Sequence, residues 1–153
     1  MEQNFTIIEL KPQPGLAIRE KLPFAEIPKK MPEFFEEVYR FAAERKIAIA
    51  GPPFAYYLSW DDKEIDMEVG FPVGPGAAAE GRIHMMTLPG GKVVKGTHVG
   101  PYDKLVESYN RMTVWMKAQG HEPANYMWET YMTDPAVEKD QARHVTEMFW
   151  PVA

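Results

Sequence analysis

"DMEVGFPV" at residues 66–73 and "VTEMFWPV" at residues 145–152 are two versions of one pattern, and they indicate an internal repeat. Glu68 aligns with Glu147, and a Pro-Val pair closes both copies. In each copy the side chains alternate between two sets of different composition, as expected of a β-strand whose two faces have different surroundings. The match therefore suggests that one supersecondary unit occurs twice in the chain.

The segments before the two copies also follow one order. A strand-like stretch after a Pro-Gly turn, "LAIRE" (16–20) or "KVVKGTHV" (92–99), precedes a helical stretch and then an aromatic strand. We therefore predict an α+β fold of duplicated strand-helix-strand-strand (SHS2) units, paired about a pseudo-two-fold axis around a central ligand cleft. The predicted boundaries are a single domain at residues 1–153, repeat 1 at about 5–73, a Gly- and Ala-rich linker at 74–81 and repeat 2 at about 82–152.

Each predicted helix carries apolar residues on one face. Pro32 is expected to open the first helix, and Pro101 is expected at the first position of the second, which Gly120 ends. The stripe of the first helix is Phe34, Phe35, Val38, Phe41, Ala42 and Arg45, and that of the second is Leu105, Tyr109, Met112 and Met116.

Alternation along the strands assigns aromatic rings and carboxylates to one face of each strand, and the more apolar face is expected to meet the helices. If the mixed faces of both repeats converge, they form an acidic cleft lined by aromatic rings. The residues assigned to this cleft are Tyr57, Glu68, Glu129, Tyr131, Glu147 and Phe149. Trp60 is a candidate lid, and Tyr102 is a candidate for the rim.

Glu129 lies in "YMWETYM" (126–132), where every other residue is aromatic, methionine or threonine. Because an isolated buried carboxylate is costly, Glu129 is a surface residue, half of an internal pair, or a partner for a ligand. Glu68 and Glu147 are either part of a pocket floor or solvated edges of the sheet.

The composition excludes several classes of function. A net charge of −5 without a basic run argues against nucleic acid as the main partner. We expect no signal peptide, because "MEQNFTIIEL" (1–10) lacks a basic segment followed by an apolar one; no apolar run is long enough to span a membrane, and cysteine is absent. We therefore expect a cytoplasmic protein. The histidines are scattered, so we predict no metal site and no cofactor.

Three stretches carry a family resemblance: "LPGGKVVKGTHVGPYDKLVESYNRMTVWMKAQG" (88–120), "WETYMTDP" (128–135) and "VTEMFWPV" (145–152). Together they resemble the GyrI-like family, which includes the effector-binding half of AraC-type and MerR-type multidrug regulators. The resemblance implies a duplicated fold whose cleft accepts large, often cationic, aromatic compounds. It also implies that Glu129 is the pocket glutamate and the counter-charge for such a ligand.

The main hypothesis is a binding protein that senses or sequesters hydrophobic, cationic aromatic molecules. One alternative, suggested by relatives of this fold, is a hydrolase that opens strained cyclopropane rings of DNA-alkylating natural products, with Glu129 or the Glu68/Glu147 pair as general base. A second alternative is a protein-partner role such as gyrase inhibition. Because no helix-turn-helix segment precedes the domain, we expect no direct DNA binding by this chain.

Overall fold

Eight β-strands and two α-helices make up the regular structure of residues 5–77 and 79–153 in a computed structural model of the chain. Their bounds are β1 Thr6–Leu10, β2 Gln13–Pro23, α1 Ile27–Glu44, β3 Phe54–Trp60, β4 Glu64–Pro72, β5 Ile83–Leu88, β6 Gly91–Val99, α2 Leu105–Ala118, β7 Met127–Tyr131 and β8 Val145–Pro151. Residues 1–4 of the predicted domain and Ala78 of the predicted linker lie outside the described residues. Within that description, no helix has the length and apolar character needed to cross a membrane.

The chain divides into two compact units, and one of them consists of residues 11–90. Its antiparallel sheet has the order β3-β4-β2-β5. Helix α1 packs against β2 and β4, and the rings of Phe35 and Tyr39 both lie 6.0 Å from that of Phe71. The apolar stripe of α1 is confirmed as far as Ala42, since Phe34, Val38 and Ala42 are buried, but its last predicted member, Arg45, is exposed.

The predicted start of this helix is wrong. Helix α1 begins at Ile27 and continues through Pro32, with Pro28 in its first turn. A proline inside a helix removes one backbone donor, here the one that would bond to the Pro28 carbonyl. Because Pro28 is exposed, water can satisfy that carbonyl, and burial of Phe34, Val38 and Ala42 stabilises the helix on the C-terminal side of Pro32.

The other unit consists of residues 91–153 together with the N-terminal segment that ends at Leu10. Its antiparallel sheet has the order β1-β6-β8-β7. Pro101 precedes a single 3-10 turn, Tyr102–Lys104, so α2 begins later than predicted. Gly120, at φ +79°, ends the helix in a Schellman arrangement: the Gly120 amide donates to the Lys117 carbonyl and the His121 amide to that of Met116.

The register between β7 and β8 contradicts the single mixed face predicted from alternation. Glu129 is opposite Met148, whereas Trp128 is opposite Phe149 and Thr130 is opposite Glu147. Since directly opposed residues in an antiparallel pair share a face, Glu129 and Tyr131 lie on one face and Glu147 and Phe149 on the other.

The same correction applies within residues 11–90. Tyr57 is opposite Met67, and Glu68 is opposite Tyr56 on one side and Arg19 on the other. Tyr57 and Glu68 therefore point to different faces of their sheet. The sequence correctly predicts which residues of one strand share a face. The register with the neighbouring strand decides which of these sets lie together on one face of the sheet.

Candidate functional site

Glu129 lies beneath helix α2. Its opposite residue on β8, Met148, is in turn opposite Gly96 on β6. Two residues further along β6 on the same face, the His98 ring accepts at Nδ1 a hydrogen bond of 2.6 Å from the hydroxyl of Ser108, a residue of α2. The face that carries Glu129 is therefore the helix-covered face, and Glu129 is only 3% exposed.

Tyr109 supplies the helix side of this site. Its hydroxyl oxygen is buried, and its ring meets Trp150 edge to face at 5.9 Å. Burial raises the pKa of Tyr109 well above its ordinary value, and the charge of Glu129 raises it further. The tyrosine is thus kept in its neutral, hydrogen-bonding form next to the carboxylate.

Two further tyrosines extend the cluster toward solvent. The Tyr102 ring meets Tyr131 edge to face at 5.8 Å and stacks on His144 at 5.4 Å. The pKa of Tyr102 is raised by partial burial first, and then by the negative charges of Asp134 and Glu129. Tyr102 is 39% exposed and is the outermost of these rings, and its role at a ligand rim stays a prediction.

The residues Glu129, Tyr102, Tyr109, Tyr131 and His144 are called the Glu129 cluster below. All of them belong to residues 91–153. The cluster combines a buried carboxylate with three phenol rings, so it suits a positively charged aromatic group better than an anion or an aliphatic chain.

The other two predicted carboxylates are committed to basic neighbours. Glu68 is buried and its Oε2 lies 2.7 Å from His84 Nε2. Glu147 lies 2.6 Å from the Lys95 ammonium. Neither is therefore a solvated sheet edge without a partner. Glu147 lies on the opposite face of its sheet from Glu129, and Glu68 belongs to the unit of residues 11–90.

The remaining predicted site residues do not join the Glu129 cluster. Phe149 is on the opposite face of β8, where its ring stacks on Trp128 at 5.7 Å. Tyr57 and Trp60 belong to β3 in the unit of residues 11–90, and Trp60 is 41% exposed near the end of that strand. Their roles as ligand contact and lid stay predictions.

Tyr109 and His144 were missed as site residues by the sequence reasoning. Tyr109 was assigned only to the apolar stripe of its helix, although a tyrosine at a buried position needs a partner for its hydroxyl. That requirement was the signal that pointed to a polar group beneath α2. No spacing pattern distinguishes His144 from the other histidines, because its neighbours come from distant segments. Among residues 5–77 and 79–153, no group of His, Asp and Glu side chains is arranged to hold a metal ion.

The raised pKa of Tyr109 predicts a specific alkaline instability. Unfolding restores an ordinary pKa near 10, so above that pH the unfolded state loses a proton that the folded state keeps. The contribution of neutral Tyr109 to the free energy of unfolding is complete below about pH 10. It is lost as the pH rises toward the folded-state pKa, at up to about 1.4 kcal/mol per pH unit. Urea unfolding at a series of pH values should show a shallower alkaline decline for Tyr109→Phe than for the wild type.

Tyr39→Phe is the matched control, since Tyr39 lies on a helix but is 57% exposed. Its pH profile should follow that of the wild type. An identical alkaline decline in Tyr109→Phe and wild type would show that the hydroxyl of Tyr109 is not protected in the folded protein.

The sequence profile of the GyrI-like small molecule binding domain matches residues 3–153. The chain belongs to the GyrI-like family. No curated protein matches it. Several solved structures share its α+β fold of antiparallel sheet and two helices.

The EcmrR C-terminal domain superposes with a TM-score of 0.86 at 22% identity, over 100% of this chain and 99% of that one. EcmrR in its DNA complex superposes with a TM-score of 0.83 at 24% identity over 98% of this chain. The present chain spans only 57% of the length of EcmrR. SAV2435 bound to tetraphenylphosphonium gives 0.68 at 12% identity, covering 98% and 94% of the two chains. A hydrolase from Listeria innocua gives 0.64 at 14% identity, covering 97% and 91%. These similarities establish the fold.

Proposed function

We propose that this GyrI-like chain binds large aromatic cations, for sensing or sequestration, with Glu129 as the counter-charge. The observation that carries the proposal is a glutamate with 3% exposure set among the rings of Tyr109, Tyr131 and Tyr102. The charge of Glu129 contributes to the raised pKa of both Tyr109 and Tyr102, which supports an electrostatic role for this carboxylate in the cluster.

Two physical terms favour such a ligand. A cation over a tyrosine face gains about 0.5–2 kcal/mol from the ring quadrupole, and the gain is larger where water is excluded. A carboxylate in a buried setting attracts a cation more strongly than one in water, because the effective dielectric constant is lower. A delocalised aromatic cation also has a smaller dehydration cost than a compact ammonium ion.

The solved relatives support this proposal without deciding it. SAV2435 was solved with tetraphenylphosphonium, a lipophilic aromatic cation. EcmrR was solved in complex with DNA, and this chain superposes on its C-terminal domain. We infer that the present chain has the ligand-binding part of such a system. Any coupling to DNA-bound regulation is a further part of the proposal.

The finer architecture is also a proposal. We infer that the two units derive from one duplicated SHS2 unit. In residues 11–90 the order β2, α1, β3, β4 has β5 added beside β2, and in the other unit the order β6, α2, β7, β8 has β1 added beside β6. The shared connectivity supports duplication, and the matched Glu68 and Glu147 fall on β4 and β8.

A hydrolase is the second candidate, favoured by the likeness to a Listeria innocua hydrolase. A glutamate in an apolar setting can act as general base on water. A strained electrophile such as an activated cyclopropane stores its own driving force, so one positioned base suffices. Ester and amide hydrolysis needs oxyanion stabilisation, which carboxylates and phenol rings do not supply well.

Titration with tetraphenylphosphonium and with the neutral triphenylphosphine oxide tests the binding proposal. We expect quenching of tryptophan fluorescence by the cation at micromolar concentrations, about −8 kcal/mol, and much weaker binding of the oxide. Equal affinity for both compounds would show that charge plays no part in binding.

A second experiment tests the hydrolase candidate with a cyclopropane-bearing alkylator, analysed by mass spectrometry after incubation. The compound should be lost no faster than by its spontaneous reaction. Catalysed ring opening that needs Glu129 would favour the hydrolase.

A further inference from the structure

His144 presents one unused hydrogen-bonding atom inside the protein. The residue is 4% exposed, and its Nε2 lies 2.8 Å from the carbonyl oxygen of Glu138. A carbonyl oxygen only accepts, so Nε2 carries the proton and donates it. In the neutral ring Nδ1 then holds a lone pair. Within residues 5–77 and 79–153 this buried nitrogen has no hydrogen-bond partner.

The buried His98 shows what a structural histidine does in this unit. Its Nε2 donates to the Pro101 carbonyl at 2.9 Å, and its Nδ1 accepts from the Ser108 hydroxyl at 2.6 Å. Both ring nitrogens of His98 are satisfied by the fold itself. His144 also donates from Nε2 to a backbone carbonyl, but its Nδ1 has no partner among the described residues. Because a buried polar atom without a partner costs about 1–3 kcal/mol, an external donor that bonds to His144 Nδ1 would be bound favourably.

The nitrogen His144 Nδ1 belongs to the Glu129 cluster. The Tyr102 ring covers the His144 ring at 5.4 Å and also meets Tyr131 at 5.8 Å. Tyr131 is opposite Thr146, whose fully buried hydroxyl is a second polar side-chain group that, in the described chain, has no partner. Two unsatisfied polar groups therefore flank the aromatic cluster on the side of Tyr131 and Tyr102.

We propose that His144 Nδ1 is a specificity-determining acceptor, so that the site prefers aromatic cations that carry N–H donors over fully N-alkylated ones. The inference rests on the proposed binding of aromatic cations and names the class within it. Glu129 provides the charge attraction that both kinds of cation share. His144 adds one directional bond that only an N–H donor can make, and an alkylated cation leaves the buried Nδ1 unsatisfied.

Thionine and methylene blue form a matched pair of probes. Both are planar phenothiazinium cations, but thionine carries primary amino groups and methylene blue carries dimethylamino groups. Glutamine places its amide nitrogen near the position of a histidine Nε2, so His144→Gln retains the bond to Glu138 and removes Nδ1. His144→Asn does the reverse, since its amide oxygen lies near the position of Nδ1.

At pH 8, where histidine side chains are generally neutral, His144→Gln should weaken thionine binding about threefold to tenfold. Methylene blue binding should change less than about twofold, and His144→Asn should retain more of the thionine affinity than His144→Gln. Thermal melts of all three proteins show whether each variant is folded. If His144→Gln is unfolded, nitrogen NMR of wild type labelled at histidine decides: thionine should shift one imidazole nitrogen resonance that methylene blue leaves in place.

The outcomes separate this inference from the proposal beneath it. If both dyes bind and Glu129→Gln weakens both, but the His144 variants do not distinguish them, the specificity inference is overturned and the binding function stands. If neither dye binds the wild type, both are overturned. Equal losses for the two dyes in a folded His144→Gln would assign His144 a purely structural role.

Discussion

Glu129→Gln should lower the affinity for tetraphenylphosphonium by roughly 10- to 150-fold, corresponding to about 1.5–3 kcal/mol for an interaction with a charged group. The amide has the shape of the carboxylate and lacks its charge, so the loss should be confined to cationic ligands. Binding of triphenylphosphine oxide, where detectable, should be unchanged. Fluorescence titration of both ligands measures the effect directly.

The melting temperature of Glu129→Gln should stay within a few degrees of the wild type. Glu129 is 3% exposed, and replacing a buried charge by a neutral isostere removes a desolvation penalty. Glu147→Gln is the matched control, because Glu147 is a strand carboxylate on the other face, bound to Lys95 at 2.6 Å. Its cation affinity should change less than about twofold. Unfolding of Glu129→Gln, or a cation affinity equal to that of wild type, would assign Glu129 to the architecture and not to the ligand.

Gly70→Ala should cost more than about 4 kcal/mol of stability, a large part of the 5–15 kcal/mol typical of a folded domain. Gly70 lies on β4 beside β2, and a Cβ added there overlaps the backbone carbonyl oxygen of Leu16 and comes within 2.8 Å of the Ala17 Cα. These are backbone atoms in a strand bonded on both sides, to β4 and to β5, so they cannot move without breaking both ladders.

Gly74→Ala is the control for this substitution. An added Cβ at Gly74 meets no atom within 4 Å, so the change should be within about 1 kcal/mol and can be stabilising through the unfolded state. Urea unfolding of the two variants beside the wild type compares them. Near-equal stability of Gly70→Ala would mean that β2 and β4 are less closely spaced than the structure describes.

The helices show how far local pattern reaches. The apolar periodicity predicted the buried faces of α1 and α2, and Gly120 marked the end of α2 correctly, because both depend on neighbours within one or two turns. The start of α1 was predicted wrongly from Pro32. A proline usually ends or opens a helix, but here burial of Phe34 and Val38 on one side and solvent access at Pro28 on the other outweigh its local preference.

The edge strands β1 and β5 were not recognised, because their pairing is decided elsewhere in the chain. β1 pairs with β6, more than eighty residues away, and β5 pairs with β2 across the whole of α1, β3 and β4. No local sequence pattern in β1 or β5 predicts which strand it pairs with. Long-range pairing of this kind places β5 in the unit of residues 11–90 and β1 in the other unit.

The sequence alone determined that Glu129 is unusual, because a charge within an aromatic and methionine strand requires a special environment wherever the strand lies. It also determined which residues alternate along each strand. The tertiary structure decided which alternating sets meet: the register places Glu129 with Met148 under α2, and Glu147 and Phe149 on the other face. It also brought His144 and Tyr102 to Tyr131. Alternation repeats every two residues within a strand, but a shift of one residue between strands exchanges the faces, and only the packed register selects between those alternatives.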